Sequence, residues 1–565
     1  MKNKHSLKTV APATLRELPE ATPIAKPRID WLSWLYSFIL IVLFSVQYNF
    51  VFDSKVSAVG DNADYYILAK SLADNHGYRT MNEIGTPLHN HFPPGYPFFL
   101  SIIMRFFTTE YVHLVAINGV FLFVALGIGL KLFYDATQNK HISLVVAILC
   151  LFNYHLLTYS TNLLSEIPFL FTSMAAIWVF IRLDSTKNSF KNPYSYLFLG
   201  LIVSSFYIRS AGIALVASFA ITLISKKNWK MALFTIIGFI MLVLPWQIRS
   251  AAIGGDSYFN QLVHKDGNVS LPVLSISDFT LRFWSNILRY ITREIPSLLF
   301  PWTEKPNFIG ISWQEFIWTI PLVLVIGFGL FRLKQHRTLF ASLTACTFFI
   351  VLLWPEIWFG IRFILPLAPL LLLFLVNGIY ELGQWLFSKL QWQANFINTV
   401  AWGFIPLLIL PKLYYFEHIT VGDEQKRLLV ALSVSAAHII AEDKDLNIVH
   451  SYYEVAKWCK TNLPKDALVL CRKPSLFYLF AEKHTVPLAS FTFTDKEMKT
   501  LSDTVRANRY IAFLKEKKVD YVLIDLLSYP ETQKFFYPVM RIFPRKFPIV
   551  YQSAYPISYL VKFEP

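Results

Sequence analysis

Gly60-Asp61-Asn62-Ala63-Asp64-Tyr65-Tyr66 and, further on, His89-Asn90-His91-Phe92-Pro93-Pro94-Gly95-Tyr96-Pro97 frame a loop in which carboxylates and imidazoles are concentrated. The loop follows directly on the first long apolar run, residues 31–52. Acids and histidines beside a membrane-length segment are costly to desolvate, and membrane proteins that place them there generally use them. Whether that run crosses a bilayer therefore decides both the fold and the meaning of the loop. A spanning helix needs about 20 mostly apolar residues, whereas a signal-peptide core has only roughly 7–15. Residues 31–52 are long enough to be an uncleaved anchor. Residues 1–30 are basic, contain proline and lack an apolar core, which predicts a disordered cytoplasmic tail.

The rest of the chain agrees. Of its 565 residues 55% are hydrophobic and only 16% charged, with mean hydropathy +0.44, whereas soluble domains carry about 25% charge. The net charge of +15 does not gather into one patch but falls between apolar runs, which argues for a membrane protein and against a nucleic-acid partner. Candidate spans are 31–52, 111–134, 141–159, 165–183, 194–208, 210–225, 230–248, 313–331, 338–354, 362–382 and 397–416. With the N-terminus inside, every inner loop carries Lys or Arg: Lys131 and Lys140, Arg182, Lys226, Lys227, Arg332, Arg337 and Lys389 among them. Loops 53–110 and 249–312 and everything after about 417 then fall outside, as the positive-inside rule requires. The expected fold is mainly α: a polytopic transmembrane helix bundle of about 11 spans, residues 31–416, with a small C-terminal extracytoplasmic α/β domain, 417–565.

Three segments carry more specific expectations. The apolar stretch 95–107 is short and starts at a Pro-rich turn, so it reads as a surface or re-entrant helix. Residues 281–290, Leu-Arg-Phe-Trp-Ser-Asn-Ile-Leu-Arg-Tyr, are basic, aromatic and amphipathic, the pattern of an interfacial helix. After Val421 helical patterns at 452–462 and 510–518 each precede a β-like run, at 467–470 and 521–524, which suggests a small α/β unit of roughly 140 residues. Cys459 and Cys471 lie in that unit and pair only if it is extracytoplasmic and the geometry permits. Cys150 and Cys346 read as packing residues.

The chemistry-bearing groups lie at the outer ends of spans. Asp61 and Asp64 are spaced to share one face of a helix over 61–75. There a carboxylate could take a proton from an acceptor hydroxyl, or the pair could hold a divalent metal ion; equally, Asp61 could be a helix cap and Asp64 a solvated side chain. Glu166, in Leu163-Leu164-Ser165-Glu166-Ile167-Pro168, is either an acid–base or binding residue or the partner of a Ser165 cap. Arg209, Arg249 and Arg362 sit at outer span ends, against the inside bias, and suit phosphate, which the guanidinium fork matches; headgroup anchoring is the plainer alternative. No Walker loop is present, so ATP is not the evident energy source.

Asp61-Asn62-x-x-Tyr65-x-x-x-Ala69, then Gly77, then Pro93-Pro94 resembles the first outer loop of the GT-C glycosyltransferases, in particular the protein O-mannosyltransferase and aminoarabinose-transferase group. The resemblance covers about residues 31–416 and is strongest over 60–100. It implies Asp61 as catalytic base and Glu166 as a second acidic position, with Tyr65, Arg209, Arg249 and Arg362 around the substrate; Asp64 has no equivalent in the motif and is an added candidate for the same site, as are His89 and His91. The match departs from the family at Asn62, where a second acid is usual, and at Phe92, where some members carry Lys; His89 and His91 are the nearest substitutes for that phosphate-facing group. The expected activity is inverting transfer of a sugar from a polyprenyl-phosphate donor to a lipid, glycan or protein acceptor on the outer face of a membrane, expected to be a bacterial inner membrane. A lipid-linked saccharide flippase without bond chemistry and an O-antigen-type polymerase or ligase are the alternatives. A flippase would show ionisable groups near mid-membrane rather than at one face.

Overall fold

The computed structural model describes residues 31–52, 61–184, 192–254, 258–267, 272–303, 312–356, 360–389, 444–491, 493, 495–525, 532–554 and 557–565. The span expected at 397–416, and the start of the α/β unit, lie outside the described residues.

Each expected span from 31–52 to 362–382 coincides with a helix or a bent pair. In chain order these are α1 (Trp31–Val51), α2 (Asn62–Ala73), α3 (Gly95–Phe106), α4 (Tyr111–Thr137), α5 (Lys140–Leu151), α6 (Tyr154–Ser160), α7 (Glu166–Asp184), α8 (Pro193–Ile208), α9 (Ile213–Ser225) and α10 (Trp229–Ile253). There follow α11 (Tyr258–Val263), α12 (Ile276–Arg289), α13 (Ile295–Leu299), α14 (Trp313–Phe331), α15 (Arg337–Leu353) and α16 (Ala368–Lys389). By length and composition six helices among the described residues can cross a membrane, or seven if α5 and α6, bent by 58°, form one span. Among the described residues the expected spans at 194–208, 210–225 and 338–354 are the shorter apolar helices α8, α9 and α15, below the length of a full straight crossing.

A continuous apolar core links these helices. Where α14 meets α16 the two backbones nearly touch: a Cβ on Gly329 would lie 1.8 Å from the Phe374 carbonyl oxygen, and one on Gly378 2.2 Å from that of Val325. Small residues at a crossing substitute van der Waals contact for the hydrophobic drive that lipid removes. The interfacial pattern at 281–290 becomes α12. Its apolar side chains Leu281, Trp284 and Leu288 are exposed, while Arg282 and Asn286 turn inward. Asn286 donates to the carbonyls of Leu352 and Trp354, and Arg282 to that of Leu353, satisfying the C-terminal end of α15. Segment 95–107 is α3, with Tyr96, Leu100 and Met104 buried and Phe98, Ile102 and Phe106 exposed. It follows the Pro pair so closely against α8 that a Cβ on Gly95 would meet the Tyr207 carbonyl carbon at 2.6 Å.

The C-terminal unit adds α17 (Lys444–Asn462), α18 (Pro474–Ala481), α19 (Asp495–Thr500), α20 (Asp503–Glu516) and α21 (Tyr537–Ile542). Its sheet has β1 (Leu468–Cys471), β2 (His484–Pro487), β3 (Tyr521–Ile524), β4 (Ile549–Gln552) and β5 (Tyr559–Lys562), in the order β2-β1-β3-β5-β4. β1 pairs parallel with β2 and β3, whereas β5 runs antiparallel to β3 and β4. Both strands expected from the sequence are present, each preceded by its helix. Alternating side chains serve two cores, since a strand points successive residues to opposite faces. Leu468, Leu470, Val522 and Ile524 pack with α20. Val469, Cys471 and Leu523 pack with α17, α18 and, from the helical bundle, Ala63 of α2. Cys459 and Cys471 are both free thiols in this second core.

Candidate active site

α2 starts at Asn62, with Asp61 at its cap position. Its inner face is Tyr65, Leu68, Ala69 and Leu72, the i, i+3, i+4, i+7 spacing of an amphipathic helix. Tyr65 is buried between the rings of Phe92 and Tyr96, whose centroids lie 5.0 and 5.2 Å away. The Pro93-Pro94 turn thereby fixes the angle of α2, and with it the position of Asp61.

The capping role open to Asp61 is not taken: the residue occupies the cap position, but its side chain accepts no hydrogen bond from the helix. Its Oδ2 instead lies 2.8 Å from Nη2 of Arg362, which is carried by a short 3-10 turn, Ile361–Phe363. The same guanidinium donates through Nε to Glu166 Oε1 at 2.9 Å, and Arg209 Nη1 reaches that oxygen at 2.7 Å. Arg209 also donates to Ser165 Oγ at 3.1 Å, and Tyr65 Oη donates to it at 2.8 Å. Asp61, Arg362, Glu166, Arg209, Ser165 and Tyr65 thus form one chain of ion pairs and hydrogen bonds drawn from four separate parts of the sequence. Glu166, with 0% of its surface exposed, is the hub. Ser165 joins the network rather than serving only as a helix cap.

Asp61 also lines a cavity of about 630 Å³. The walls come from α2 (Asp64), the 80–92 loop (Glu83, His91), the end of α10 and the start of α18 (Lys473, Ser475). The solvated reading of Asp64 does not hold. Ser475 Oγ hydrogen-bonds its carboxylate, and burial first, then the charge of Asp61, push its pKa from 3.8 to about 6. The α/β unit is also fastened to the loop at Asn82, whose carbonyl accepts the Thr485 backbone N–H at 2.8 Å.

The raised pKa has a consequence for stability. Between the unfolded value of 3.8 and about 6 the folded protein holds the extra proton, so stability conferred by Asp64 is complete below about pH 4 and lost by pH 6 and above. Asp64→Asn keeps an acceptor for Ser475 and removes the charge. It is expected to raise stability at pH 7.5 by roughly 1–2 kcal/mol and to flatten the loss between pH 4 and 6. Thermal unfolding across that range measures it; an unchanged pH profile would mean that Asp64 is not the titrating group.

The remaining sequence candidates serve the loop. Arg249 Nη1 donates to the His89 carbonyl at 2.9 Å and Nη2 to that of Tyr78 at 3.4 Å, with the guanidinium against Trp246. His89 Nε2 accepts the Phe92 backbone N–H at 3.0 Å, which leaves its proton on Nδ1, 3.0 Å from Thr80 Oγ1. Burial lowers its pKa to about 3, so His89 is a neutral clip and not a phosphate-facing cation. His91 does line the cavity, with Nδ1 3.4 Å from Gln261 Nε2. Lys473 and Ser475 had no signal in the sequence; they lie more than 400 positions from Asp64 and only folding brings them there. A divalent ion fits poorly. Among the described residues no three acid, imidazole or thiol side chains converge, and the two aspartates are engaged by Arg362 and Ser475.

No family model and no curated protein matches this chain. Solved structures do. The oligosaccharyltransferase AglB of Archaeoglobus fulgidus, in complex with an inhibitory peptide and a dolichol-phosphate, aligns over 94% of this chain and 75% of its own at 12% identity and TM-score 0.53. The same organism's enzyme tethered to an acceptor peptide gives TM-score 0.55 at 13% identity, over 95% and 74% of the two chains. ArnT of Cupriavidus metallidurans bound to undecaprenyl phosphate aligns over 94% of this chain and 98% of its own, at 10% identity and TM-score 0.53. At 10–13% identity these likenesses show the architecture alone: the chain shares the fold of these proteins.

Proposed function

We propose that the protein is an integral-membrane glycosyltransferase that moves a sugar from a polyprenyl-phosphate donor to an acceptor on the non-cytoplasmic side of the membrane. The observation that carries this is the placement of Asp61, paired with Arg362 and lining an open cavity, with Arg209 joined to Arg362 through Glu166. A phosphate leaving group needs cations on one side of the reacting carbon, and an incoming hydroxyl needs a base on the other. The lipid phosphates bound by the AglB and ArnT structures support the donor class. Lys- and Arg-bearing loops at the opposite ends of the helices support the sidedness.

In this reading the phosphate engages Arg362 and draws it from Asp61, leaving the carboxylate oxygen to accept a proton. The acceptor hydroxyl, lying in the cavity, gives its proton to Asp61 as its oxygen bonds to the anomeric carbon. The bond from that carbon to the phosphate oxygen breaks, and the phosphate leaves with the electron pair, met by Arg362. One displacement from the opposite face inverts the sugar. Glu166 touches neither reactant; it holds the arginines in position.

The test uses purified full-length protein in liposomes, a labelled polyprenyl-phosphate sugar and a membrane extract as acceptor source. Label appearing in a new conjugate of inverted configuration supports transfer. Label that crosses the bilayer unchanged would identify a carrier instead.

A further inference from the structure

Lys473 precedes α18, and its main chain is held firmly. Its carbonyl accepts the Phe477 backbone N–H at 2.9 Å and Tyr452 Oη at 2.9 Å. The residue lines the same cavity as Asp61 and Asp64. Its side chain is half-buried, and among the described residues its ammonium is in no hydrogen bond or close ion pair. Burial first, and the neighbouring Arg472, lower its pKa, while Asp61 and Asp64 act in the opposite direction.

Two carboxylates act on it, and one of them, Asp61, is bonded to another cation. Asp61 and Glu166 are matched by Arg362 and Arg209. Asp64 is held by a neutral hydroxyl. Lys473 is therefore a cation lining the cavity with no bonded counter-charge, acted on by Asp61 and Asp64 without a direct ion pair, an arrangement that becomes more favourable when an anion enters.

We propose that Lys473 binds a phosphate group carried by the molecule that fills this cavity, so that the α/β domain supplies a specificity residue to the site. The ammonium is a point charge with three donors, suited to phosphate oxygens that arrive from the open side, where the fixed fork of Arg362 does not reach. The identity of the occupant rests on the transferase reading; the anion binding does not. The phosphate could be that of the lipid donor or one on the acceptor.

The experiment uses the full-length protein in detergent, with Lys473→Met and Lys473→Arg, and follows thermal unfolding with undecaprenyl phosphate or with inorganic phosphate. The wild type and the Arg variant should gain stability with at least one probe, and the Met variant should lose most of that gain. Dependence on Lys473 with undecaprenyl phosphate alone assigns the donor. Dependence with inorganic phosphate as well assigns a phosphate that enters from the aqueous side. If the Met variant folds poorly by itself, Lys473→Gln carries the same measurement. Equal gains in wild type and neutral variants, or no gain in the wild type with either probe, would overturn the proposal. Absence of sugar transfer together with Lys473-dependent stabilisation would remove the transferase reading and leave this site standing. Where transfer is seen, Lys473→Met should raise KM for the phosphate-bearing substrate about tenfold with kcat within about threefold.

Discussion

Asp61→Asn is expected to lower the rate of sugar transfer by about 10³-fold, within the range that loss of a positioned proton acceptor produces. The substitution is close to isosteric. It keeps an oxygen for Arg362 and removes the basic charge. Arg362 then faces one carboxylate, Glu166, instead of two, so binding of an anionic donor should be unchanged or tighter. The informative result is thus a split: kcat collapses while donor KM does not rise. Single-turnover transfer with the labelled donor, beside thermal stabilisation by undecaprenyl phosphate, reads both halves. An Asn variant that transfers within about tenfold of wild type would end the role of Asp61 as base. One that binds no donor would make Asp61 a structural partner of Arg362 and nothing more.

Glu166→Gln should cost the most stability. The carboxylate has no exposed surface and receives two guanidiniums on one oxygen, at 2.7 and 2.9 Å. Breaking a buried pair from one side leaves uncompensated charge and typically costs about 3–5 kcal/mol. Here Arg209 loses its carboxylate and Arg362 keeps only Asp61, and the two guanidiniums repel each other. Activity should fall by about 10²-fold, because Arg362 loses one of its two anchors and small misplacements of catalytic groups carry penalties of that size. The control is the double variant Glu166→Gln/Arg209→Gln, which removes one of the stranded cations. It should unfold at a temperature no lower than the single variant, and the non-additivity is the signature of direct coupling. If the single variant is as stable as wild type, Glu166 is not the hub that the geometry makes it.

Much of this site can be read from residue order. The acidic start of α2, Tyr65 and the Pro93-Pro94 turn are local: a helix face with a period near 3.6 and a turn that fixes its entry. Arg362, Arg209 and Glu166 were visible as charged residues at span ends, where the cost of burying charge makes each one conspicuous. Their grouping was not visible. Arg249 carries the same charge in the same kind of place, yet its guanidinium is spent on the carbonyls of Tyr78 and His89. His89 looked like a cation because histidine can be one; burial and a backbone donor at Nε2 make it neutral. Helix length was legible too, but the number of full crossings was not, because short apolar helices such as α8 and α9 bury their surface in protein as readily as in lipid.

By itself the sequence determined that this chain lives in a membrane, which segments are helical, and that its acids and arginines collect at helix ends, since hydropathy and local period are properties of neighbouring residues. Only the tertiary structure decided which of those charges neutralise one another and that Lys473 and Ser475 of the α/β domain line the cavity beside Asp64. Electrostatic pairing depends on separations of a few ångströms between side chains hundreds of positions apart, and one-dimensional order carries no measure of that distance.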